Sequence, residues 1–242
     1  MRVAIISDIH GNLDAFGQVL NDIDASGIDA VVCLGDNVGY GPEPEQVIRQ
    51  VRKRKIPCVM GNHERAVSDR AHLNWFNPAA RISLQKTITM LSEESINYIN
   101  GMKSSLVVCQ SRFVHGFPPD STDIYLFQVS NDNLNQTFKE MKERLCFVGH
   151  THELKLIEFD GKVSQCIPLK EGIVIHLDND RKYIINVGSV GQPRDGNNNA
   201  KYVIWNTSED SIEVRFVPYD IAAVVAKILA VGLPKVHADR LW

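Results

Sequence analysis

A chain of 242 residues is long enough for one large domain or two small ones, and either can bury a substantial core. An apolar fraction of 44% with 23% charged residues is the composition of a globular protein, and a net charge of −3 leaves no basic footprint of the kind that accompanies nucleic-acid binding. The five cysteines (Cys33, Cys58, Cys109, Cys146 and Cys166) are scattered without a C-x-x-C, which excludes a disulfide framework or a thiolate zinc site and reads as reduced core residues of a cytoplasmic protein.

Residues 2–7 are β-branched and apolar, so the chain enters a central strand at once, without the layout of a secretion signal. Asn12 can cap a helix over Leu13–Ala25, whose Leu13, Phe16, Val19, Leu20 and Ile23 share one face. Residues 29–34 form the second strand. Pro42 and Pro44 start a helix with Val47, Ile48 and Val51 inward, and the run Arg52–Lys53–Arg54–Lys55 closes it, where cations suit the helix dipole. Residues 56–60 are the third strand, and this β-α-β-α-β order predicts parallel strands with helical crossovers.

Residues 64–102 read as helical, with Pro78 opening a helix that carries Ile82, Leu84, Ile88 and Leu91, and Ser92 capping another. Residues 105–110 and 112–115 predict a hairpin. A loop over 117–129 has no clear assignment, a helix follows near 134–143, and 146–148 is a buried strand. After His152 the texture changes to short strands separated by turns: Leu154–Phe159, 162–167, 172–176, 183–186, 202–206 and 212–217, predicted mostly antiparallel. The apolar stretch 221–233 contains Lys227 and is shorter than the roughly 20 residues of a membrane helix, so it predicts a C-terminal helix packed on the domain or on a second copy of the chain.

The chemistry collects where the apolar runs stop. Asp8 and His10 stand two apart at one strand end, and His150 and His152 at another, a spacing that puts both side chains of each pair on one face. Asp36, Asn62 and His115 end three further runs. Seven N and O donors without a thiolate suit a hard-to-borderline divalent metal and do not resemble a closed tetrahedral zinc site. They exceed the needs of one ion; two ions sharing the Asp36 carboxylate fit better, an arrangement suited to in-line attack on phosphorus.

The ordered motifs Asp8–Ile9–His10, Gly35–Asp36, Gly61–Asn62–His63–Glu64, His115 and Gly149–His150–Thr151–His152 resemble the calcineurin-like metallophosphoesterase family. The later run Asn186–Val187–Gly188–Ser189–Val190–Gly191–Gln192–Pro193–Arg194 is similar to the closing motif of its small prokaryotic phosphodiesterases. The resemblance implies a mixed α/β, four-layer αββα sandwich with two mixed sheets, here one domain over 1–242 with a helical insertion at about 64–102. It implies one metal on Asp8, His10, Asp36 and His152 and a second on Asp36, Asn62, His115 and His150, the ions being manganese, iron, zinc or nickel. It also implies attack by a metal-bridging hydroxide on a phosphodiester or phosphomonoester, with His63 beside the leaving oxygen.

Protein Ser/Thr phosphatases and dinucleoside tetraphosphatases of this family carry a second polar residue and an arginine shortly after their Gly-Asp; in the phosphatases the polar residue is an aspartate that orients the catalytic histidine. Gly39 and Tyr40 stand at those positions here, which argues against that branch. Glu64 remains as a carboxylate partner for His63. Arg65 and Arg194 are replacement candidates for gripping phosphate, and Asn12 and Tyr40, just past metal-bearing turns, for substrate contact. The rival reading is a non-catalytic interaction scaffold on the same fold; the retention of His63 with every metal-ligand position favours the enzyme.

Overall fold

The computed structural model describes residues 1–242. Its first half runs β1 (Arg2–Ile6), α1 (Leu13–Ala25), β2 (Ala30–Cys33), α2 (Pro44–Lys53), α3 (Asn62–Ser68), a 3-10 turn (Arg70–Trp75), α4 (Pro78–Met90), α5 (Glu93–Asn100), β3 (Ser105–Val108) and β4 (Ser111–Val114). A second 3-10 turn (Leu126–Gln128) lies in the loop that follows. The rest is α6 (Asn131–Glu140), β5 (Leu145–Val148), β6 (Leu154–Phe159), β7 (Ser164–Ile167), β8 (Val174–His176), β9 (Lys182–Val187), β10 (Ala200–Asn206), β11 (Ser211–Val217), α7 (Ile221–Ala230) and α8 (Lys235–Asp239).

One sheet has the order β2-β1-β10-β11-β8 and the other β3-β4-β5-β9-β6-β7. Strand alternation explains the layering. Val3 and Ile5 of β1 meet Phe113, Phe147 and Ile185 of the other sheet in a core between the two sheets, while Ala4 and Ile6 turn outward onto Phe16, Val19 and Leu20 of α1. On the far side, Cys146, Val148 and Ile184 pack on Leu134 and Phe138 of α6. This is the four-layer αββα sandwich expected.

Parallel pairing decides where the site lies. β1 and β2 are parallel, as are β4, β5 and β9, so the carboxyl ends of all five strands can open toward shared sheet edges. One expectation needs correcting. Residues 56–60 make isolated parallel bridges, Cys33 to Cys58 and Val59 to Lys103, and no ladder strand, because only single pairings flank them. The later strands pair antiparallel as expected except that β9 joins β5 in parallel; β10, β11 and β8 complete the first sheet, so both sheets contain early and late strands.

Smaller departures are local. Ile82 of α4 is exposed, since the inward face of that helix is set by Ala80, Ser83, Leu84 and Thr87. Cys33 and Cys146 are buried as expected, but Cys109 and Cys166 are exposed; all five are free. The 134–143 helix starts earlier, capped by Ser130 on the Asn133 N–H, and ends at Glu140. Val224 and Ile228 of α7 pack on Leu233, Ala238 and Leu241 of the same chain. No helix is long and apolar enough to cross a membrane.

Candidate metal centre

The donors sit on turns that leave the strand ends sharply. Asp8, His10, Asp36, His150 and His152 all have left-handed backbones, with φ of 55, 50, 53, 67 and 61°. For residues with a Cβ this conformation costs about 1–2 kcal/mol each, a cost that persists only where the surroundings over-determine it. The surroundings here are hydrogen bonds between the turns. Asp8 N donates to Gly35 O, His10 N to Asp36 O, and His150 N to the Asp8 carboxylate at 3.1 Å.

The seven expected ligands converge, and each is at most 3% exposed. Asp8 Oδ1 lies 3.3 Å from His152 Nε2 and 3.7 Å from His10 Nε2. On the other side, His115 Nε2 is 3.1 Å from both Asn62 Oδ1 and His150 Nδ1. Asp36 Oδ2 stands between the sets, 3.2 Å from His115 Nε2 and 3.7 Å from His10 Nε2.

Each histidine is held from behind by a carbonyl. His10 Nδ1 donates to Val38 O at 3.1 Å, His152 Nδ1 to Gln192 O at 2.6 Å, His115 Nδ1 to Leu34 O at 2.8 Å, and His150 Nε2 to Asp123 O at 3.2 Å. Those partners fix which nitrogen carries the proton and turn the other inward, as in metal sites. In their neutral forms His10 and His152 therefore face each other with two lone pairs at 3.1 Å. Asp8 Oδ1 is buried without a hydrogen-bond partner. Opposed lone pairs beside an orphan carboxylate oxygen are satisfied together by a cation, so this donor set fits a metal.

The electrostatics agree. Burial works to raise the Asp8 and Asp36 carboxyls, but the surrounding histidines outweigh it and hold both below the usual carboxylate range. Burial works against a charged His115, yet Asp36 beside it pushes its pKa up to about 10, so positive charge is favoured at that point. Burial takes His150 down to about 4 and His152 well below the ordinary value, leaving both as neutral donors.

His63 is buried at the rim, Nε2 at 3.9 Å from Asp36 Oδ2 and Nδ1 without a partner. Burial pushes its pKa well down. Glu64 is not its carboxylate partner. That side chain accepts from the N–H groups of Asp36 (2.7 Å), Asn37 (2.7 Å) and Gly61 (2.9 Å), tying the Gly-Asp turn to the start of α3. Gly39 is where the ring finds its room: a Cβ there would come within 2.0 Å of His63 Nδ1, at a φ of 85°.

The remaining candidates divide. Tyr40 lies between His10 and His63, each ring centroid 4.5 Å away, and Arg194 stands over its face at 5.9 Å, held by Gln192 Oε1 at 2.8 Å. Asn12 is occupied at both ends of its amide, capping α1 through Ala15 N and donating to Gly191 O, so it is a structural residue. Arg65 pairs with Asp123, whose other oxygen accepts from His72 Nε2 at 2.8 Å.

Several contributors carry no signal in the sequence or only a diffuse one. Asp123 and Tyr125 come from the unassigned loop; the Asp123 carbonyl holds His150, and the Tyr125 ring stacks on His150 at 3.8 Å. His237 of α8 packs on Tyr40 at 4.6 Å. The run after β9 was visible as a motif, and its work is to clamp turns together. Ser189 Oγ donates to Asp8 O, Gly191 N to Asp8 O, and Arg194 N to His152 O.

Residues 1–210 match the sequence profile described as the calcineurin-like phosphoesterase superfamily domain. An uncharacterized protein of Methanocaldococcus jannaschii is 37% identical over 246 residues, spanning 99% of this chain and 97% of its own. A solved metallophosphoesterase from Sphaerobacter thermophilus is 34% identical with a TM-score of 0.84, covering 100% of this chain and 98% of that one. A hypothetical protein from Pyrococcus horikoshii shares the fold at 17% identity, with a TM-score of 0.77 over 100% and 97% of the two chains.

Proposed function

The chain belongs to the calcineurin-like phosphoesterase superfamily, and from that premise we propose that it hydrolyses phosphodiester or phosphomonoester bonds with two divalent ions. Asp8, His10, Asp36 and His152 would hold one ion, and Asp36, Asn62, His115 and His150 the other. The observation that carries this reading is the single Asp36 Oδ2 atom between the two inward-facing donor sets. An all-N/O set suits manganese, iron, zinc or nickel. Bound there, two ions supply Lewis-acid neutralisation of phosphate oxygens and lower the pKa of water at the site.

The chain's own residues do the rest. Asp36 and Asp8 stay ionised and supply the negative charge that retains cations. Burial keeps the His63 ring neutral near pH 7, so it serves as a hydrogen-bond donor to charge developing on the leaving oxygen, a role that does not require an imidazolium. Tyr40 and Arg194 would contact the phosphoryl group from the side of His10, against which Tyr40 packs. The placement of Arg194 over the Tyr40 ring supports that reading over Arg65, whose Nη1 is paired with Asp123, and over Asn12, whose amide is engaged at both ends. The five free cysteines and the absence of any disulfide suit a cytoplasmic setting.

The test pairs two variants on a chromogenic phosphodiester with metal content measured alongside. Asp36→Asn is expected to lose both bound metal and metal-dependent turnover. His63→Ala is expected to keep its metal and lose about 100-fold in kcat. Undiminished turnover in metal-stripped protein would refute the proposal.

A further inference from the structure

Beyond His63, the proposed donor to the leaving oxygen, the wall of the site is aromatic. Phe76 meets the His63 ring edge-on with centroids 5.0 Å apart, and Trp75 meets Phe76 likewise at 5.2 Å. Trp75 lies nearly parallel to His72 (5.8 Å, 9°) and to Tyr125 (5.9 Å, 14°), so its plane is fixed from two sides. Tyr125 in turn stacks on His150, one of the converging histidines. A continuous set of rings therefore runs from the metal donors to the surface.

Phe76 closes the wall and is 6% exposed, as a core side chain should be. Trp75 is different: 44% of it faces water although its neighbours hold it still. The exposed part of so constrained an indole offers stacking area with little left to lose in side-chain entropy. Charge does not compete for the place, because Arg65 is already paired with Asp123 and His72 with the same carboxylate. The surface suits a flat, uncharged substituent.

We infer that Trp75 is a stacking platform for a planar aromatic group, a nucleobase or a phenyl ring, carried on the leaving-group side of the phosphoester. The inference rests on the phosphoesterase reading and deepens it by naming a substrate class. Trp75 is a binding residue here; it touches the substituent and takes no part in proton transfer.

Two matched substrate pairs test it with the metal-loaded enzyme. Methyl phosphodiesters of phenol and of a fluoroalkyl alcohol of equal acidity form the first pair, and those of a nucleoside 5′-hydroxyl and of the abasic ribose form the second. Trp75→Ala should lower the kcat/KM ratio of aromatic to non-aromatic partner by about 10- to 100-fold, mostly through KM, and Trp75→Phe should recover most of the loss. A fall confined to the first pair identifies an aryl ester, and one confined to the second a nucleotide. Ratios unchanged in both pairs overturn the inference. If the wild type hydrolyses none of the four with any metal, the phosphoesterase reading fails by itself, and calorimetry with adenosine 5′-monophosphate and ribose 5-phosphate then decides. Preferential binding of the former that is lost in Trp75→Ala upholds the platform, and equal binding removes it.

Discussion

Gly39 and His63 share one small volume, and that sharing shows how single residues set this site. With φ at 85° and His63 Nδ1 2.0 Å from where a Cβ would stand, position 39 demands glycine for both backbone and space. Where protein phosphatases carry an aspartate to orient the histidine, this chain presents no side chain, and the ring is held by Tyr40 and Phe76 on its faces and edges. Gly39→Ala should therefore displace His63 and lower kcat at least about tenfold with metal content preserved. The Gly39→Ala/His63→Ala double variant should be no slower than His63→Ala alone, since both changes remove one interaction. A Gly39→Ala enzyme with wild-type kcat would contradict the account. The donor residues themselves were legible from type and position at apolar strand ends. Their left-handed backbones were not, because only a few per cent of non-glycine residues adopt φ above zero and the bonds that hold these turns come from remote parts of the chain.

Among the elements, those with one strong local pattern matched their sequence signals and those depending on remote partners did not. α1 spans Leu13–Ala25 as its periodicity and Asn12 cap require. Residues 56–60 have strand composition but pair only at single points, and composition cannot say whether a neighbour is available. α8 had no signal, being five residues whose order comes from packing His237, Ala238 and Leu241 onto α7 and Tyr40. His237 gives that element a pH dependence. Burial lowers its pKa from 6.5 to about 4, so the unfolded chain takes up a proton as the pH falls through 6.5 while the folded chain stays neutral until about 4. Stability is fully present above 6.5 and declines between those values, by about 3 kcal/mol from this group if the interval is crossed entirely. Replacing it by glutamine, which can still donate to Ala79 O, should flatten the fall in Tm between pH 7 and pH 5 relative to wild type, a difference readable by calorimetry. An identical slope in the two proteins would remove His237 from the explanation.

For the whole molecule, the centre is a joint between the two sheets, with Asp8 and Asp36 following strands of one and His115, His150 and His152 following strands of the other. Ions bound only by the native arrangement add to stability by mass action, about 3 kcal/mol for each site at a hundredfold excess over Kd. Stripping both with a chelator should lower Tm by about 10 to 25 °C, and a metal-free sample with unchanged Tm would show that the donors are not bridged by ions. The sandwich itself was legible through the family resemblance, whereas the distribution of late strands between the sheets was not, because short antiparallel strands carry no label naming their partner. That distribution bears on the order of assembly. β1 pairs with β10, Arg2 opposite Asn206, so the strand that carries Asp8 has its second neighbour only after some two hundred further residues have been made. A chain emerging from the ribosome can bring the Asp8 and Asp36 turns together early, but it cannot flank β1 on its second side until β10 arrives. Contacts of such sequence separation fold slowly, and the first sheet closes last.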